Sequence, residues 1–168
     1  MSIRPLAIAG LAAAAALAAC APTPHSTRPL VGPAVFNEGD FAWSQRGGQA
    51  AIEGRVAYAE GGKNFACVGS AGLTPETAYT RERFRTLYGS TDRAAVPAAV
   101  VRARTVPDAN ANYSGYVRDT RCENGAFRFS GLPDGGWFLI VPVTAGEAPV
   151  VLMRRVETRG GRVINVTL

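Results

Sequence analysis

From Ala50 to the C-terminus the chain alternates apolar and polar positions in short runs. AAIEGRVAYAE (50–60) sets Ile52, Val56 and Tyr58 at or near one parity and breaks at Gly61-Gly62. FACVGSAGL (65–73), AAVVRARTV (98–106) and YSGYVRDTRC (113–122) read as further strands. AFRFSGL, WFLIVPVT, VVLMRRVET and RVINVTL complete the set. Short strands spaced by about 8 to 12 residues, with Gly, Pro and Asn-Gly breaks, predict an all-β sandwich or barrel. WFLIV has no polar face, as a central strand covered on both sides would have. One stretch follows the helical period instead. In TRERFRTLYGS (80–90), Phe84, Leu87 and Tyr88 recur at i, i+3 and i+4, Thr80 can cap and Gly89 can stop the helix. This predicts a short helical insertion, expected to cover an open end of the sandwich.

Residues 1–19 are of another kind. Arg4 precedes an uncharged run from Pro5 to Ala19, shorter than the about 20 apolar residues that a spanning helix needs. A basic start, a short apolar core and small residues at the end describe a secretory signal peptide. The closing Leu17-Ala18-Ala19-Cys20 resembles the lipobox of bacterial lipoproteins, where the chain is cut before a cysteine whose thiol carries a diacylglyceryl group. That resemblance implies lipidation of Cys20 and attachment to a membrane through the N-terminal lipid. Ala21 in place of Asp implies the outer membrane of a Gram-negative cell envelope. A single acyl chain anchors only marginally, and lipoproteins of this type typically carry three. The alternative is an ordinary secretory signal that happens to end at a cysteine.

Residues 20–35 then form a lipidated start and a tether. APTPHSTRPLVGPAV (21–35) has four prolines and no periodicity, which suits an extended spacer. The single histidine, His25, lies there and reads as solvated rather than as a metal ligand or catalytic base. Residues 36–168 are left as one β-sandwich domain.

Composition narrows the partners. With 47% hydrophobic and 18% charged residues the chain is ordinary for a globular protein. Its formal charge is +5, and all but one of its 18 basic residues are Arg. They are scattered singly, as in FRTLYGSTDR, where nucleic-acid binding calls for a basic face interleaved with aromatics; no nucleic acid is expected. Beyond Cys20 two cysteines remain. Cys67 and Cys122 lack CxxC spacing and a structured histidine, so they are poor metal ligands or nucleophiles. An even pair in an oxidising compartment favours a disulfide, which would stabilise the fold by about 4 kcal/mol in the chain-entropy model.

The order of these parts carries a resemblance. A β segment, AAIEGRVAYAEGG, leads to a cysteine strand and L-T-P-E-T-A-Y (73–79). T-R-C-E-N-G-A-F-R-F-S-G-L-P-D-G (120–135) and a hydrophobic strand follow. This resembles the carboxypeptidase regulatory-like, transthyretin-like domain and its D-x-x-G-x-F-x-F-x-x-L-P-x-G-x-Y hairpin. Glu123 takes the acidic position, Gly125 the turn glycine, Phe127 and Phe129 the aromatic pair, and Leu132-Pro133 the Leu-Pro. Gly135 or Gly136 takes the second glycine, and Trp137 or Phe138 the place of the Tyr. The resemblance implies a transthyretin-like/immunoglobulin-like Greek-key β-sandwich serving as a non-catalytic accessory module. The T-P-E-T-A-Y segment and the helical insertion depart from the simplest members.

Residue by residue, the hairpin reads as scaffold. Asn124-Gly125 suits a tight turn with positive φ, and Pro133-Asp134-Gly135 suits a second, with Gly135 left-handed. Glu123 and Asp134 each have a place in a turn, and no D-x-[DN]-x-[DN]-G calcium loop surrounds them. G-x-S-x-G, H-E-x-x-H and S-x-x-K are all absent. The leading expectation is a non-enzymatic envelope lipoprotein without cofactor or metal, serving structure, assembly or protein interaction. The alternative is a carbohydrate- or peptidoglycan-binding module, with Trp43, Tyr79, Tyr113 and Tyr116 as candidate stacking aromatics. Each of the four could equally be a packed ring.

Overall fold

A computed structural model describes residues 34–106, 112–146 and 148–168. The leader, Cys20 and His25 lie outside the described residues. Eleven strands are found among the described residues: β1 (Ala50–Arg55), β2 (Ala59–Glu60), β3 (Lys63–Asn64), β4 (Ala66–Cys67), β5 (Ser70–Pro75), β6 (Arg93–Pro97), β7 (Arg118–Arg121), β8 (Ala126–Leu132), β9 (Gly135–Thr144), β10 (Val150–Thr158) and β11 (Val163–Thr167). Two α-helices, α1 (Ala78–Tyr88) and α2 (Ala98–Ala103), and two 3-10 helices, Glu38–Gln45 and Asn112–Tyr116, interrupt them.

The strands form a β-sandwich. One sheet has the order β11-β1-β8, with β1 parallel to β11 and antiparallel to β8. The other has the order β6-β10-β9-β5-β7, and β4 also pairs with β9. Period-2 alternation on β8 puts Phe127 and Phe129 inward, and a register shift at Gly131 turns Leu132 inward as well, against Ile52 of β1 and Leu73, Trp137, Leu139, Val141 and Val143 of the larger sheet. Strand β9 is the axis of that sheet. Trp137, Phe138, Leu139, Val141 and Val143 are all fully buried, as its lack of a polar face requires.

The second cover of β9 is α1. Phe84 and Tyr88 pack on Phe138 and Met153, with the Phe84 and Phe138 ring centroids 4.7 Å apart. The helix therefore lies on the outer face of the larger sheet and does not close an end of the sandwich. Its cap also differs from the sequence expectation. Thr77 is the N-cap, and Thr80 is the reciprocal partner of a capping box: Thr80 N donates to Thr77 Oγ1 at 3.1 Å and Thr77 N to Thr80 Oγ1 at 2.8 Å. Gly89 ends the helix in the left-handed conformation, as expected.

Three strand expectations are corrected. AAVVRARTV begins as helix α2, because the edge of the sheet is already filled by Arg93–Pro97 on β10. Pro97 has no N–H to extend that ladder, and Ala98 N donates instead to Pro149 O at 2.8 Å. YSGYVRDTRC is half 3-10 helix and only its second half is strand β7. FACVGSAGL is likewise split into β4 and β5 at Gly69, which has φ of 76°. The tight turn at Asn124-Gly125 is as expected, with φ of 51° and 75°.

The glycine pair at the start of β9 works by proximity. Gly135 has the positive φ expected of it, 156°, in the range that favours glycine. A β-carbon on Gly135 would collide with the Trp43 ring, and one on Gly136 with the Glu76 carboxylate. Trp43 thereby meets Trp137 edge to face, at 4.9 Å between centroids. On the other side Glu76, 7% exposed, is paired with Arg81 and with Arg155, whose Nε donates at 2.7 Å. Glu76→Ala is expected to lower the unfolding free energy by about 2–3 kcal/mol. That is below the usual 3–5 kcal/mol for breaking a buried pair, because both arginines still reach water; urea denaturation measures it.

Candidate functional site

The four aromatics picked from the sequence do not form a common ligand platform. Tyr79 is 3% exposed, so its ring is packing and is corrected as a candidate contact. Tyr113 and Tyr116 are half-buried and belong to a belt with Phe36, Phe41 and Tyr79. Centroid distances are 4.7 Å for Phe41–Tyr116, 5.6 Å for Phe36–Tyr79 and 5.9 Å for Tyr79–Tyr113. The belt joins the two 3-10 helices to α1. Trp43 sits apart from it, on Trp137.

One cation serves the belt. The Arg83 guanidinium lies 4.7 Å above the Tyr113 ring, a cation–π distance, and Arg83 Nη1 donates to the Tyr79 hydroxyl at 3.4 Å. Arg83 Nε is buried and has no hydrogen-bond partner. Nearby, burial pushes the Tyr88 phenol up from its ordinary 10 to about 12, with Tyr113 adding to the rise and Arg83 opposing it.

A recess lined by many polar side chains lies on the three-stranded sheet and its border with β7. It is a groove of about 920 Å³, within the usual size range of ligand sites. Strand registry builds it. Side chains that point away from the core form two rungs across β8, β1 and β11: Arg128–Glu53–Asn165 and Ala126–Arg55–Thr167. Successive rungs on one face are about 6.7 Å apart. Arg128 and Glu53 form an ion pair across the strands. Thr120, Arg121, Glu123 and Asn124, from the end of β7 and the turn after it, add a wall.

That wall stands where the chain crosses from one sheet to the other. Cys122 is bonded to Cys67 of β4, with 6.0 Å between the α-carbons, and Cys122 N donates to Gly69 O at 3.3 Å. The disulfide expected from the sequence is thus formed, within the larger sheet and directly beside the groove. Glu123 lines the groove. Asp134 does not; its Oδ2 accepts from Gly160 N at 2.8 Å, which ties the turn before β9 to the turn between β10 and β11. Among the described residues no three His, Cys, Asp or Glu side chains converge as metal ligands.

Arg55, Arg121, Asn165 and Thr167 were missed by sequence reasoning. Their signal was the polar parity of strands β1, β7 and β11, visible in the sequence but indistinguishable there from ordinary solvated faces.

No family model matches the chain, and no curated protein matches it. Among solved structures it is similar to a Pseudomonas aeruginosa protein described as a "putative carbohydrate binding protein". The TM-score is 0.52 at 19% sequence identity, over 79% of this chain and 97% of that one. Likeness at that identity speaks for the fold, and the fold is a β-sandwich.

The Tyr88 environment yields a pH dependence. Its phenol is held neutral in the folded chain to a higher pH than in the unfolded one. Its contribution is therefore whole below pH 10 and is lost as pH rises through about 12. The gap corresponds to about 3 kcal/mol. Tyr88→Phe is expected to reduce the loss of stability over that range, as read from denaturation midpoints across alkaline pH.

Proposed function

We propose that this chain is a non-enzymatic, carbohydrate-binding β-sandwich held at a cell envelope by a lipid on Cys20. The observation that carries the binding half is the polar groove on the three-stranded sheet. Its Arg, Asn, Glu and Thr side chains supply paired donors and acceptors suited to sugar hydroxyls. Apolar ligand sites, by contrast, are lined mostly by hydrophobic and aromatic side chains. The similar Pseudomonas aeruginosa structure, described in the terms given above, adds support of a weaker kind.

Other features agree with binding without chemistry. The buried carboxylate, Glu76, is committed to Arg81 and Arg155, Glu53 to Arg128, and Asp134 to a turn amide. For a role in assembly or protein interaction, the exposed large apolar side chains among the described residues are Val35, Val68, Val100 and Val163. They lie on four different segments of the chain, which gives that role less support than the groove gives to glycan binding.

The envelope half rests on the LAAC ending and on the Cys67–Cys122 disulfide, which suits an oxidising compartment. Cys20→Ser is expected to abolish incorporation of labelled fatty acid and to move the chain out of the membrane fraction. An unchanged membrane fraction would refute the anchor. For the groove, the full chain is expected to be retained on insoluble envelope polysaccharide and released by soluble oligosaccharide. Failure to be retained by any glycan would remove the carbohydrate reading.

A further inference from the structure

The groove has a charge pattern that a neutral sugar does not call for. Arg128 and Glu53 answer each other. Arg55 and Arg121 line the same groove, and among the described residues neither side chain has a hydrogen bond or an ion pair. Set against them is a single further acid, Glu123.

Both arginines stand on backbone that is held in place. Arg55 is in register with Ala126 and Thr167 on its two neighbouring strands, and its carbonyl accepts from Leu168 N at 2.9 Å. Arg121 is paired with Ser70 and is followed directly by the disulfide-bonded Cys122. Fixed anchor points reduce the ordering cost of binding. A guanidinium fork matches a carboxylate with two parallel hydrogen bonds. Glu123 in the same lining disfavours a dianionic phosphate more than a singly charged carboxylate. Asn124 and Asn165 remain for neighbouring hydroxyls.

We infer that the groove binds a carboxylate-bearing saccharide, with Arg55 and Arg121 as the carboxylate anchors and the amides beside them on the sugar hydroxyls. This rests on the carbohydrate-binding reading and specifies the ligand class for the same site. The chemistry is shared by uronate polymers and by muramyl glycans with acidic peptides.

The test is calorimetric titration of the full chain in detergent with three probes: hexagalacturonate, its carboxyl-reduced neutral counterpart, and a muramyl disaccharide–peptide. At least one acidic probe is expected to bind about tenfold more tightly than the neutral one, and which of them does so identifies the source. Arg55→Gln and Arg121→Gln should each weaken acidic binding by about tenfold, the scale of a lost charge-assisted hydrogen bond, and leave neutral binding within about twofold. Arg154→Gln, outside this groove, should change neither. Should a variant fail to fold, raising the salt concentration on the native chain should weaken acidic binding selectively. Equal binding of acidic and neutral probes, insensitive to both arginines and to salt, overturns the acidic assignment and leaves the carbohydrate reading standing. Absence of binding by all three probes overturns both.

Discussion

Strand β9 is buried on both faces, and most of the architecture follows from covering it. On one face Trp137, Leu139, Val141 and Val143 require an apolar layer, which the three-stranded sheet supplies through Ile52, Phe127 and Phe129. On the other, Phe138 meets Phe84 of α1. Each fully buried large apolar side chain contributes about 1.5–3 kcal/mol relative to exposure, so neither cover is dispensable. The indole N–H of Trp137 needs a partner once buried. It donates to Thr158 Oγ1 at 3.0 Å, and that hydroxyl donates onward to Pro133 O at 2.7 Å. One polar chain thus ties β10 to the turn that starts β9. The Gly135-Gly136 pair belongs to the same constraint, since it lets Trp43 close over Trp137 and Glu76 sit against the strand.

The position of the groove is a consequence of connectivity. A sandwich needs crossovers between its sheets, and β7 to β8 is one of them. The crossover is short: Cys122 and Glu123 lead straight into the Asn124-Gly125 turn. A tight crossover leaves a step beside the outer face of β1 and β8, and the side chains on the step become a wall. The disulfide to Cys67 and the Cys122 N to Gly69 O bond hold that step in place. The same bridge that stabilises the fold therefore fixes the geometry of the groove.

Elements dominated by one strong local signal were legible in the sequence. AFRFSGL, WFLIVPVT, VVLMRRVET and RVINVTL each fall within about two residues of a strand, because alternation and turn residues agreed there. Phe84 and Tyr88 were legible as a helix face, but what that face covers depends on long-range packing and was not. AAVVRARTV misled because its three valines suggest a strand while its three alanines favour a helix. The sheet edge that decided between them is not visible locally. The 3-10 helix Glu38–Gln45 carried no periodic signal at all. At the site the failure was of kind rather than of degree. Stacking aromatics were sought as the mark of sugar binding, and Tyr79 proved to be core, while the groove is made of outward polar positions from strands far apart in sequence. Arg55, Arg121 and Asn165 are brought together only by registry and by a crossover.

The proposed function also has to account for affinity, and the tether bears on it. An open groove lined by polar groups competes with water for every hydrogen bond, so each contact is worth only about 0.5–1.5 kcal/mol net. Exposed ion pairs add about 0–1 kcal/mol more. A single groove on a single chain is therefore a weak site. Many copies anchored on one surface and facing a polymer of repeated sugars are in a different regime, because each binding event raises the effective concentration for the next. A lipid at Cys20 and an extended segment of up to residue 35 would give each domain reach without losing that confinement. If the proposed anchor holds, weak individual recognition and attachment to one surface would act together, since confinement would supply the avidity that a single groove lacks.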